Sequence, residues 1–339
     1  MMVVMKETAT EAQINHVIER LEKAGLRAHI SRGEFKTVIG VIGDREAIQN
    51  MPMEAIPGVE NVIPILKPYK FVSREFRRED TVIDVNGHKI GGGTFAVIAG
   101  PCSVETQAQM SLAAKSVKAA GAAFMRGGAF KPRTSPYSFQ GLKEEGLKLL
   151  AQAREETGLP IVTEILDIRD IDVIAKYADV LQIGARNMQN YVLLLEAGKT
   201  HMPVLLKRGF GSTVDELLMA AEYIVKGGSS KIILCERGIR TFETASRATL
   251  DLTAVPILKK LTHLPVVVDP SHATGKSELV PPMTLGALAV GADGVMVEVH
   301  PNPEEALCDG PQALDIQGFK DLMAKIKPIA ATLGKKLST

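Results

Sequence analysis

The feature that most constrains this chain is an alternation sustained eight times after Gly93, in which each short apolar run is followed by a longer amphipathic stretch. The runs are Thr94–Gly100, Ala122–Arg126, Leu159–Ile165, Asp179–Ala185, Pro203–Lys207, Lys231–Cys235, Leu264–Asp269 and Gly294–Val299. Short apolar runs of this kind read as buried parallel strands. The segments between them, among them Glu105–Ala120, Leu142–Thr157, Val214–Val225 and Glu278–Val290, have helical spacing, as does a last helix at Gln317–Leu333. Eight repeats favour a closed (β/α)8 barrel over an open doubly wound sheet. No GxGxxG follows the first run, so a dinucleotide site has little support, and Gly91–Gly93 reads as a turn.

Each run ends in, or within a few residues of, a side chain suited to metal, phosphate or carboxylate: Cys102, Arg126, Glu164, Arg186, Lys207, Arg237, His272 and Glu298. A closed barrel gathers all C-terminal strand ends around one cavity, so the pattern reads as an enzyme. Period-two alternation sharpens this. Met296, Glu298 and His300 share one strand face, Ile233, Cys235 and Arg237 another, and Leu205 falls with Lys207 while Leu206 falls with Arg208. Cys235 is then expected in the barrel core, one rung below Arg237.

The 339 residues suffice for a barrel plus one small domain, and 45% hydrophobic residues exclude wholesale disorder. Lysine and arginine total 40 against 39 acidic residues, which points away from nucleic-acid and membrane-surface binding. Met1–Met5 is too short for a secretory segment, no run reaches membrane-spanning length, and the three widely spaced cysteines suit a reducing compartment. A soluble cytoplasmic protein is expected.

Residues 1–70 read as a separate unit. Met2–Lys6, a helix at Thr10–Ala24, strands at Arg27–Ser31 and Thr37–Ile42, a short helix near Arg45–Met51 and a strand at Val59–Leu66 give β-α-β-β-α-β, the ferredoxin-like order. Lys67–Glu79 suits a linker. Thr81–Val85 and His88–Ile90 flank Asn86-Gly87, a strong two-residue hairpin signal. The expected boundaries are 1–70, a linker and hairpin at 71–93 covering the bottom of the barrel, and the barrel at 94–339.

Cys102, His272, Glu298 and Asp309 together offer one sulfur, one nitrogen and two carboxylates, a set suited to zinc, iron, manganese or cobalt. Spacing alone leaves open a buried cysteine, a capping histidine and two solvated carboxylates. Arg126, Lys131, Arg133, Arg186, Lys207, Arg208 and Arg237 form a cationic group. Singly, each is ordinarily a solvated charge; gathered at strand ends they repel unless anions sit among them. Phosphate and carboxylate ligands would satisfy them. His300 reads as structural, and Cys235 and Cys308 as packing residues, although Cys308 directly precedes Asp309.

The ordered segments Ala99-Gly100-Pro101-Cys102-Ser103, Arg126-Gly127-Gly128, Lys131-Pro132-Arg133-Thr134-Ser135-Pro136 and Gln182-Ile183-Gly184-Ala185-Arg186-Asn187 are specific. So are Leu206-Lys207-Arg208-Gly209, Cys235-Glu236-Arg237-Gly238, Asp269-Pro270-Ser271-His272 and Glu298-Val299-His300-Pro301. Together they resemble the type I 3-deoxy-D-arabino-heptulosonate 7-phosphate (DAHP) synthases, in the branch with an N-terminal ferredoxin-like (ACT-like) regulatory domain. The resemblance implies the first step of the shikimate pathway, condensation of phosphoenolpyruvate with erythrose 4-phosphate and water to give DAHP and phosphate. It assigns a divalent metal to Cys102, His272, Glu298 and Asp309. Phosphoenolpyruvate falls to Arg126, Lys131, Ala185, Arg186, Lys207 and Arg237, and erythrose 4-phosphate to Pro132, Arg133 and Thr134. Lys131, Glu164 and His272 are the candidates for proton and water handling. A homotetramer inhibited by tyrosine or phenylalanine is implied, with His29 and Ser31 as effector contacts. Two alternatives are 3-deoxy-D-manno-octulosonate 8-phosphate synthase, which uses arabinose 5-phosphate, and a non-catalytic amino-acid sensor built on a barrel. The relative using arabinose 5-phosphate typically has an Asn-Arg-Ser-type stretch in place of Pro132-Arg133-Thr134 and lacks the N-terminal domain.

Overall fold

In the computed structural model, residues 1–33, 36–43, 51–63, 68–133 and 135–338 are described. The chain divides into two compact units, Met1–Pro68 and Tyr69–Thr339.

The first unit is a four-stranded antiparallel sheet of β1 (Met2–Met5), β2 (Arg27–Arg32), β3 (Thr37–Ile42) and β4 (Val59–Ile63), in the order β2-β3-β1-β4. Between β1 and β2 runs a helix, Glu11–Lys23. It starts in a capping box between Thr10 and Gln13 and buries Ile14, Val17 and Leu21 against Val3, Met5, Ile39 and Val41. This is the expected ferredoxin-like sheet. The helix expected at Arg45–Met51 falls, apart from Met51, outside the described residues, as do the last residues of the strand expected to end at Leu66.

The second unit is built on eight parallel strands: β7 (Thr94–Gly100), β8 (Phe124–Arg126), β9 (Ile161–Ile165), β10 (Val180–Ile183), β11 (Val204–Lys207), β12 (Ile232–Glu236), β13 (Val266–Val268) and β14 (Gly294–Glu298). Each pairs with the next, and β14 pairs back with β7, closing the barrel. The principal helices between strands are Gln107–Ala120, Glu144–Thr157, Tyr191–Lys199, Val214–Gly227, Ala254–Leu261 and Val280–Ala289, with Ile316–Thr332 following β14. Two elements were not expected. A five-residue helix, Pro270–Thr274, follows β13, and a short strand β15 (Lys336–Leu337) adds to the start of β7.

Alternation along the strands separates two cores. Residues such as Val97, Leu181, Leu206, Leu234 and Val295 pack outward against the helices. The alternate set, Ala96, Phe124, Val162, Val180, Leu205, Ile233, Cys235, Val267 and Met296, fills the interior. Ile83, Val85 and Ile90 belong to that interior cluster. They come from the hairpin of β5 (Ile83–Val85) and β6 (His88–Ile90), whose turn residues Asn86 and Gly87 both have positive φ, 54° and 91°. The hairpin therefore plugs the N-terminal mouth of the barrel and leaves the C-terminal mouth open.

Ile90 is fully buried in this plug. Ile90→Ala is expected to destabilise the barrel by about 2–5 kcal/mol, read from the shift of the denaturant midpoint. A loss well under about 1 kcal/mol would show that the hairpin is not packed into the mouth.

Candidate active site

Two residues above each interior apolar side chain, the alternation delivers a polar one. Phe124 is followed by Arg126, Val162 by Glu164, Val180 by Gln182, Leu205 by Lys207, Cys235 by Arg237, Val267 by Asp269 and Met296 by Glu298. The expected ends of the fourth and seventh strands need correction here. Arg186 sits in a single turn, Ala185–Asn187, beyond β10, and His272 sits in the Pro270–Thr274 helix. The inward-facing rungs of those strands are Gln182 and Asp269.

On one side of the mouth Cys102, His272, Glu298 and Asp309 place one ligand atom each within 4.8 Å of one another. Glycine makes the crossing to Cys102 feasible, since a Cβ at Gly100 would lie 2.1 Å from the Arg126 carbonyl oxygen. His272 Nε2 lies 3.1 Å from Glu298 Oε1, and Cys102 Sγ lies 3.3 Å from Asp309 Oδ2. Asp269 accepts from the backbone N–H of His272 at 2.9 Å and meets its Nδ1 at 2.6 Å, which turns Nε2 toward the cluster. Gln312 Nε2 donates to Glu298 Oε2 at 2.6 Å, and Arg126 Nη1 donates to Glu298 Oε1 at 3.0 Å. The Lys131 ammonium lies 3.0 Å from Cys102 Sγ.

The electrostatics suit a cation. Burial opposes ionisation of Asp269, but His272 and Lys207 outweigh it and hold the carboxyl well below its ordinary range. Glu298 is likewise lowered against its burial by His272 and Arg126, and Asp309 falls to about 2 beside Arg247 and His272. Burial lowers the His272 pKa, although Asp269 and Glu298 pull it the other way. The Cys102 thiol is pushed up by contact with Cys308, by burial and by Glu298, the environment a bound cation would reverse. Mixed sulfur, nitrogen and carboxylate donors with a carboxylate behind the histidine fit a divalent transition ion.

Beside this cluster lies a cavity of roughly 300 Å³ lined by Lys131, Pro132, Arg133, Arg186, Lys207, Arg237 and Arg247, with Glu164, Gln182 and Ala185 on its wall. Lys207 pairs with Asp269. Arg237 Nη2 donates to the His272 carbonyl at 2.9 Å, while its buried Nη1 and the buried Nε of Arg126 have no partner. Burial lowers the Arg237 guanidinium pKa, so an anion would be welcome there. Arg126 lies behind the cavity wall, donating to the Pro101 carbonyl and Glu298. Glu164 packs its carboxylate against Gly184, where an added Cβ would stand 1.9 Å from Oε1 and displace the carboxylate from this position.

Arg208 does not join the cationic group. It occupies the outward position next to Lys207 and binds Glu236 and Asp251 at 2.8 and 2.9 Å. Cys308 is also more than a packing residue, because its Sγ lies 3.2 Å from Cys102 Sγ and it lines the cavity. His300 is structural: its Nδ1 accepts from the Asn302 N–H at 3.1 Å and its Nε2 faces Glu105 at 3.4 Å. Cys235 lies inside the barrel. Thr134 falls outside the described residues. In the first unit His29 and Ser31 are exposed on β2, paired with Gly40 and Val38.

Three residues that the sequence reading missed hold the site together. Asp269 was readable from its place two residues beyond Val267. Gln312 ends a single 3-10 turn, Gly310–Gln312, and Arg247 lies in a loop; neither has periodicity to mark it, and they bridge to one another at 2.7 Å and to Glu298 and Asp309. Gln312→Ala is expected to weaken divalent-ion binding about 10–100-fold in a competition titration against a chromophoric chelator. Unchanged affinity would mean that Gln312 does not orient Glu298.

Comparison with known proteins places this geometry in context. Residues 79–332 match the model described as the DAHP synthetase I family, and residues 1–67 match the DAHP synthase ferredoxin-like domain. The chain is 53% identical over 338 residues to the phospho-2-dehydro-3-deoxyheptonate aldolase of Thermotoga maritima, covering 100% of both chains. It is 32% identical over 259 residues to the 2-dehydro-3-deoxyphosphooctonate aldolase of Syntrophotalea carbinolica, covering 71% of this chain and 92% of that one. The crystal structure of the Thermotoga maritima enzyme superposes with a TM-score of 0.95 at 51% identity, covering 99% of this chain and 98% of that one. A truncated form of the same enzyme, also 51% identical, gives a TM-score of 0.75, covering 80% of this chain and 99% of that one.

Proposed function

The chain belongs to the DAHP synthetase I family, and from that premise we propose that it condenses phosphoenolpyruvate with erythrose 4-phosphate and water, releasing phosphate and DAHP. One observation carries the reading: a four-donor cluster within 4.8 Å opens directly onto a cavity rimmed by cations. A scaffold that only sensed amino acids would need neither.

Cys102, His272, Glu298 and Asp309 would hold the divalent ion, manganese, iron, zinc or cobalt by donor type. Bound there, the ion supplies Lewis acidity at the aldehyde carbonyl. Arg126, Lys131, Arg186, Lys207 and Arg237, with the backbone at Ala185, would hold phosphoenolpyruvate, and Pro132, Arg133 and Thr134 would hold erythrose 4-phosphate. Cationic side chains on both substrates fix them in attack geometry and stabilise charge as it moves. C3 of phosphoenolpyruvate bonds to the aldehyde carbon, whose oxygen takes a proton. Water then adds at C2, and phosphate leaves as the C2–O bond breaks. Lys131, Glu164 and His272 all line the cavity and would be the groups to handle those protons and the water.

Purified protein given both substrates is expected to consume them in equal amounts, to stop with chelator and to recover with added metal. No turnover with any metal would overturn the reading, and turnover indifferent to chelation or to Cys102→Ala would remove the metal assignment. Arabinose 5-phosphate as acceptor tests the octulosonate alternative, which the 32% identical relative keeps in view.

The same reading includes a cytoplasmic homotetramer whose ferredoxin-like unit receives tyrosine or phenylalanine near His29 and Ser31. Among the described residues no helix is long and apolar enough to cross a membrane. Removal of residues 1–70 is expected to abolish inhibition by aromatic amino acids and spare turnover; persistent inhibition would place the effector elsewhere.

A further inference from the structure

Phe210 lies three residues beyond the end of β11, half-buried on the cavity wall. Three guanidinium groups surround its ring, with Arg237, Arg240 and Arg186 at 4.6, 5.1 and 5.7 Å from the centroid. None of the three forms an ion pair with an acidic side chain among the described residues. Arg237 has one side-chain hydrogen bond, to the His272 carbonyl, and its Nη1 is buried without a partner. Arg240 is tied to the same residue by its backbone, its N–H donating to the Phe210 carbonyl at 2.7 Å.

Three like charges gathered this closely repel, and long side chains without partners would otherwise spread into solvent. The Phe210 ring lies within 6 Å of all three guanidinium groups, and the negative face of an aromatic ring attracts each of them. We propose that Phe210 is a positioning residue, whose ring gathers Arg186, Arg237 and Arg240 into one guanidinium cluster that receives the anionic end of phosphoenolpyruvate. Arg240, outside the cavity lining, contributes charge at the mouth through the ring it shares. The inference rests on the proposed function for the identity of the anion. An apolar filler of similar volume would keep the wall closed but lose the cluster, so ring and volume are separable.

The test is steady-state kinetics of the metal-loaded full-length protein, with phosphoenolpyruvate binding followed by calorimetry. Phe210→Leu is expected to raise the KM for phosphoenolpyruvate about tenfold and to weaken its binding alike, with kcat and the KM for erythrose 4-phosphate little changed. Phe210→Tyr, which keeps the ring, is expected to behave as the parent. Arg240→Gln is expected to give a smaller rise in the same KM and a shallower dependence on salt. Leu and Tyr variants that behave alike, or a Leu variant that loses kcat at constant KM, would overturn the proposal. Should Phe210→Leu fail to fold, by its thermal midpoint, Arg240→Gln decides: an unchanged KM and salt dependence overturn the cluster. A parent protein that binds phosphoenolpyruvate without turnover would instead refute the proposed reaction, and the calorimetric comparison would still judge the ring.

Discussion

The site depends on one buried carboxylate. Asp269, wholly inaccessible at the end of β13, caps the Pro270–Thr274 helix through the His272 N–H, orients the His272 ring through Nδ1 and pairs with Lys207. It thus joins the donor cluster to the cationic cavity. A charge so placed is tolerable because both of its oxygens have partners; remove one partner and the remaining buried charge is costly. The same carboxylate therefore sets both the direction of an imidazole and the position of an ammonium group, and neither adjusts without the other.

Below that level the barrel interior is lined by apolar side chains. The interior runs from the hairpin plug through Phe124, Val162, Leu205 and Met296 without a charged group until the rung that holds Arg126, Glu164, Lys207 and Glu298. Charges at that rung have an apolar floor beneath them, a setting in which Coulombic attraction is less screened than in water. The plug matters to the chemistry for this reason: an open bottom would admit water beneath the charged rung and screen its interactions.

Most of this was legible because barrel strands obey a period of two and the interior ones are nearly all apolar. The strand expected at Gly294–Val299 is found at Gly294–Glu298, and the split between Lys207 and Arg208 follows directly from alternation. What escaped had no period to betray it. The Pro270–Thr274 helix is too short to show helical spacing, and β15 is two residues long. Gln312 lies in a three-residue 3-10 turn, where nothing in the spacing marks a side chain that reaches back to Glu298. Charge alone groups Arg208 with the cavity cations, whereas its strand face turns it to Glu236 and Asp251; burial alone makes Cys308 a packing residue, whereas its place beside Asp309 brings it to Cys102.

The division between strands and loops also bears on how relatives can differ. The strand-borne groups, from Arg126 round to Glu298, are fixed by barrel register, and moving any one by a residue would turn it into the helix layer. The loop segment Lys131–Gly141 is under no such constraint, and it lines the part of the cavity formed by Lys131, Pro132, Arg133, Ser135 and Ser138. In a barrel of this kind the loop can therefore vary while the strand-borne groups stay in place. Change is least costly where the backbone can vary without disturbing register, and the described part of the loop that follows β8 is cavity lining of that kind.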